Sequence, residues 1–125
     1  MPGQIGWIDL TVPDAVALRD FYQTVTGWTP SGVEMGGYQD FCMTPPGEEQ
    51  PVAGICHARG QNAGLPPVWM VYIIVADLDE SLRQTLDRGG KILKPATSMG
   101  EQGRYSVISD PSGAVCALFQ TAAGA

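Results

Sequence analysis

Residues 69–90 read WMVYIIVADLDESLRQTLDRGG. The run from Val68 to Val75 is unbroken apolar and predicts a strand. Asp77 then stands where a helix N-cap belongs, with Glu80 at the capping-box spacing, and Gly89-Gly90 ends the helix. The chain has already said this once. Residues 5–27 read IGWIDLTVPDAVALRDFYQTVTG, again strand, Asp cap, helix and glycine stop. Laying one copy on the other pairs Val12 with Val75, Asp14 with Asp77 and Gly27 with Gly90, an offset of about 63 residues. The protein therefore reads as two related halves.

Working outward, the first strand alternates. Ile8, Leu10 and Val12 share one face, expected to pack on the following helix, and Ile5, Trp7, Asp9 and Thr11 share the other. Leu18, Phe21, Tyr22 and Val25 form the predicted buried stripe of that helix. Short strands follow over residues 28–34, 38–43 and 51–57, with the turn Thr44-Pro45-Pro46-Gly47 before the last of them. The second half repeats the pattern with strands over 91–96, 104–109 and 114–120 and the turn Asp110-Pro111-Ser112-Gly113. The reading is one domain over 1–125, with module one at 4–58, a Gly- and Pro-rich linker at 59–67 and module two at 68–120. Residues 121–125 are expected to fray.

Composition narrows the function. Seven basic against thirteen acidic residues give a net charge of -6, which argues against nucleic acid and anionic lipid as partners. Three cysteines, odd in number and set in apolar runs, read as reduced core residues of a cytoplasmic protein. The N-terminus carries no signal-peptide pattern, and no apolar run reaches the ~18 residues needed to span a membrane. The Gly-rich stretches lack the context of a phosphate loop.

Tandem βαβββ modules, each with V-x-D before its helix and a turn such as DPSG before its last strand, resemble the glyoxalase/bleomycin-resistance/extradiol-dioxygenase (vicinal oxygen chelate) superfamily. The resemblance covers nearly the whole chain. It implies an α+β fold in which a mixed sheet curls into a cup with the helices outside, and a homodimer as the usual assembly. Metal-dependent members place a His on the first strand of each module, seven residues before the capping Asp; here Trp7 and Met70 stand there. Their other ligands lie on the last strand of each module. In module two that position falls on Ala117, and in module one somewhere between Val52 and His57. An indole, a thioether and a methyl group offer nothing to a hard divalent ion, so the expectation is no metal and no cofactor.

Carrying strand parity across the repeat sets Trp7, Asp9 and Thr11 against Met70, Tyr72 and Ile74, all on the expected concave side. An acid and a phenol among apolar groups suit a small-molecule site. Asp9 is the candidate partner for a ligand cation or a general base, and Trp7 a stacking surface. Phe41, Tyr105 and Val107 are expected to line the same cup. His57, the chain's single histidine, reads as a ligand contact or acid–base group, or else as a strand-end residue beside Arg59. Lys91 and Lys94 read as solvated edge charges, and Met99–Gly103 as a flap or a plain hairpin connection. The leading expectation is a metal-free cup that sequesters an apolar or aromatic guest, with Asp9 placed to meet a cationic group on it, similar to the bleomycin-resistance branch of that superfamily. The rival is a lyase- or isomerase-type enzyme using Asp9, Tyr72 or His57 as acid–base groups, and a regulatory module is the third class.

Overall fold

Both helices begin and end as the repeat requires. In the computed structural model, which describes residues 1–122, helix α1 (Ala15–Thr26) is capped by the Asp14 carboxylate accepting from the Ala17 N–H at 3.1 Å. Gly27 stops it in the left-handed region, its N–H bonded to the Gln23 carbonyl. Helix α2 (Leu78–Asp87) starts with the Asp77 carboxylate accepting from the Glu80 N–H. It ends in a full Schellman pattern, with the Gly89 N–H on Leu86 and the Gly90 N–H on Thr85. The reciprocal half of the expected capping box does not form, because the Glu80 side chain turns forward along the helix to Arg83 and Gln84.

The chain packs as two units, residues 8–69 and residues 1–7 together with residue 70 onward. The first three residues of strand β1 (Ile5–Val12) thus go with the second module. Local bonding accounts for this: the Gly3 N–H donates to the Ile74 carbonyl, and the Ile74 N–H to that of Gln4.

In the 8–69 unit the strands lie in the order β2 (Thr29–Glu34), β3 (Gln39–Thr44), β4 (Ala53–His57), β1. The β1–β4 pair is parallel and the others antiparallel. The turn between β3 and β4 closes through the Glu48 N–H on the Pro45 carbonyl. Leu10, Val12, Phe41, Met43 and Ile55 bury against Ala15, Leu18 and Tyr22. The buried stripe of α1 is therefore narrower than its apolar pattern. Phe21 and Val25 are 54% and 62% exposed, because they sit about 100° and 60° round the helix from Tyr22.

In the other unit the order is β5 (Trp69–Ile74, of which Trp69 packs with the first unit), β8 (Val115–Thr121), β7 (Gly103–Ser109), β6 (Lys91–Ser98). Here β5–β8 is the parallel pair. Leu78 and Leu82 of α2 pack on Ile73, Ile92, Ile108 and Leu118. Residues 99–103 form a hairpin connection with a one-turn 3-10 helix, pinned by the Met99 N–H on the Gly103 carbonyl. Thr121 does not fray: it pairs with Gly103, and the Ala122 N–H donates to Gln102. The rest of the expected frayed tail, 123–125, lies outside the described residues. The architecture is α+β with two βαβββ modules. No helix among the described residues is long and apolar enough to cross a membrane.

Candidate functional site

Register decides which side chains share a face. In the 8–69 unit Asp9 pairs with Gly54 and Thr11 with Cys56, while Cys42 lies opposite Gly54. Asp9, Thr11, Cys42 and Cys56 therefore point away from α1. Leu10, Phe41 and Ile55 are aligned with one another on the α1 side. This corrects two expectations. Phe41 is 5% exposed in the α1-side core, beneath the Arg19 guanidinium at 4.8 Å, and does not line the face that carries Asp9. His57 lies opposite Val12, again on the α1 side, with its ring edge-on to Tyr38 at 5.5 Å. Tyr38 is covered in turn by the Arg59 guanidinium at 4.1 Å. One residue of alternation separates His57 from the face of Asp9, so the two do not form an acid–base pair.

The Asp9 face is shaped by carboxylates and thiols. Asp40, 5% exposed, accepts the His57 N–H at 2.8 Å and bonds the Cys56 thiol. Burial pushes the Cys56 thiol far up, and the Asp9 and Asp40 charges add to it; burial and then Asp9 raise Cys42. These are protonated, poorly nucleophilic thiols. Linkage gives the sign. A thiol whose folded value is raised adds stability below its ordinary value of 9.0 and loses it as pH climbs above that. The stability gap between the native protein and Cys56→Ala is expected to narrow from pH 9 to 10.5 in thermal melts. Parallel pH curves for the two would refute it.

The same register places the position left open in module one. Tyr72 pairs with Ala117 just as Asp9 pairs with Gly54, at the same offset along both strands. The residue equivalent to Ala117 is therefore Gly54. The four positions Trp7, Gly54, Met70 and Ala117 offer an indole, a hydrogen, a thioether and a methyl group, a set that does not fit a divalent ion. Among the described residues no group of three or more His, Cys, Asp or Glu side chains is arranged to hold one.

In the second unit the expected residues do come together. Tyr72, Ala117 and Val107 align across β5, β8 and β7, and Tyr105 aligns with Phe119, all on the side away from α2. Met70 shares the parity of Tyr72 and is 3% exposed. The Tyr72 and Tyr105 rings are 6.0 Å apart. Trp7 belongs to this unit and Asp9 to the other.

Lys94 was missed by sequence reasoning. It is half-buried opposite Val107, and its ammonium donates to the Tyr105 hydroxyl. Burial lowers its pKa. Two register shifts, one on each side of Lys94, set it on this face. Pro95 was the one available signal, since proline inside a strand marks an irregularity.

The sequence profile of the Glyoxalase/Bleomycin resistance protein/Dioxygenase superfamily matches residues 4–118. The chain belongs to that superfamily. CFP32 of Mycobacterium bovis, which carries a glyoxylase name, is 36% identical over 94% of this chain and 46% of its own length. The anthracycline biosynthesis protein DauV of Streptomyces sp. strain C5 is 29% identical over 95% of this chain and 47% of its own. The chain thus spans about half the length of the curated relatives it matches. Among solved structures, a Streptomyces coelicolor methylmalonyl-CoA epimerase superposes with a TM-score of 0.60 at 16% identity, covering 98% of this chain and 97% of the epimerase. That likeness concerns the fold.

Proposed function

We propose that this superfamily member binds a small, flat, mainly aromatic molecule without a metal ion, on the face of the second module lined by Met70, Tyr72, Tyr105 and Val107. One observation carries the reading. The register puts Gly54 and Ala117 at equivalent places, so with Trp7 and Met70 all four ligand positions implied by the family lack a donor suited to a hard divalent ion. What stands on the face instead is two phenol rings and apolar side chains, the usual make-up of a small-molecule pocket. The relationship to proteins named for anthracycline biosynthesis supports a planar polycyclic guest. Sequestration of such a compound, in a cytoplasmic homodimer, is the role we assign.

Thermal denaturation tests it, since a ligand that binds the folded state raises the midpoint by mass action. The midpoint is expected to ignore EDTA, Mn²⁺, Ni²⁺, Zn²⁺ and Fe²⁺. It should rise by several degrees with a polycyclic aromatic such as an anthracycline aglycone. A chelator-sensitive midpoint restored by one metal would sink the proposal.

A further inference from the structure

Arg19 and Arg59 are the only lysines or arginines in residues 8–69, a stretch that holds four Asp and three Glu. Arg19 is already paired with Asp20 at 2.9 Å and lies over Phe41. Arg59 meets no carboxylate among the described residues; it lies over the Tyr38 ring, 4.1 Å from the centroid. The same ring meets His57 at 5.5 Å and 86°. The backbone carrying these groups is pinned. The His57 N–H donates to the buried Asp40 carboxylate, the Ala58 N–H to the Val12 carbonyl and the Arg59 N–H to that of His57. Gly60 passes beside the Tyr38 hydroxyl and, as glycine, adds no side chain over it.

We infer that Arg59, Tyr38 and His57 form a site for a phosphate-type oxyanion, made wholly of first-module residues and independent of the aromatic face of the second. A cation–π contact draws on the charge of the ring and engages no oxygen acceptor, so the guanidinium N–H groups keep their capacity for one. Resting on Tyr38 also holds the guanidinium in place, so less freedom is lost when it closes on an anion. Its fork of two parallel N–H groups fits two oxygens of a phosphate or carboxylate. The Tyr38 hydroxyl and the imidazole N–H each add a donor, and neither is bonded to an oxygen among the described residues. A carboxylate has only the two oxygens that the fork takes up. A phosphate monoester has a third for a ring donor, and that selects it. The Asp40 carboxylate has the strand parity of the Asp9 face, where the His57 N–H and the Cys56 thiol engage it. The protein's net charge of -6 repels an anion at long range, but salt screens that repulsion beyond about 8 Å. Contacts within the site therefore decide.

The chain's single histidine supplies the reporter. Proton NMR at constant pH and ionic strength follows the His57 imidazole C–H signals while phosphate replaces chloride, and separately while acetate does. Phosphate is expected to move them along a saturating curve, and acetate to bind severalfold more weakly. Arg59→Gln should weaken phosphate by about tenfold or more. Arg59→Lys should keep part of the affinity, because an ammonium lacks the fork, and Tyr38→Phe should lose a few-fold while keeping the ring under Arg59. Arg88→Gln removes an equal charge from an exposed position in the second module and should change nothing. Circular dichroism melts report whether each variant is folded. An unsaturating drift of the His57 signals, or equal losses in Arg59→Gln and Arg88→Gln, would reduce the effect to general screening and overturn the site. Acetate binding as tightly as phosphate would overturn the phosphate assignment in favour of a plain carboxylate.

Discussion

Gly103→Ala is expected to cost roughly 3–5 kcal/mol and to lower the melting midpoint by on the order of 10 °C or more. Gly103 opens β7 at φ 131°. A β-carbon there would stand 2.1 Å from the Gln120 carbonyl oxygen and 2.9 Å from the Ala122 nitrogen, both backbone atoms. No rotamer change relieves such a contact; β8 itself must move. The Met99–Gly103 and Gln102–Ala122 bonds that close the hairpin would be lost with it. Gly100, at φ 66° in the same connection, meets nothing within 4 Å, so Gly100→Ala should cost only about 1–2 kcal/mol of backbone strain. Differential scanning calorimetry on the pair checks both values, and equal midpoints would show that β8 yields freely.

Ile55→Ala is the second large effect, a loss of about 2–5 kcal/mol. Ile55 is fully buried, and it lies in register with Leu10 on one side and Phe41 on the other. Removing its side chain opens a cavity at the centre of the cluster that holds α1. Phe21→Ala removes a larger side chain from α1 yet should change stability by less than about 1 kcal/mol, because that ring is 54% exposed. Urea titration should show a lower midpoint and an unchanged slope for Ile55→Ala. A larger loss for Phe21→Ala would mean that the apolar pattern of the helix, not its burial, sets its worth.

The sequence by itself determined the repeated order of strand, helix and strands, both helix caps, both glycine stops and the division of β1 into an Asp9 face and a Leu10 face. These follow from contacts within a few residues: a carboxylate reaching the third N–H ahead, a glycine free to turn left-handed, a strand alternating at period two. Met70 and Tyr72 were legible as one face because the repeat carried the parity of β1 onto β5, whereas the place of Tyr105 and Val107 beside them comes from the pairing of β7 with β8 and of β8 with β5. What only the tertiary structure decided was pairing between strands. Whether Phe41 and His57 share the side of Asp9 depends on β3 and β4 meeting β1 in one register, and a slip of one residue would reverse both. The equivalence of Gly54 with Ala117 comes from the same pairing. Lys94 owes its place to shifts in the β6–β7 ladder that leave its alternation out of step with its neighbours. Local chemistry is written along the chain, but register is set by distant strands burying their apolar faces together, and that sum is settled only when the whole unit packs.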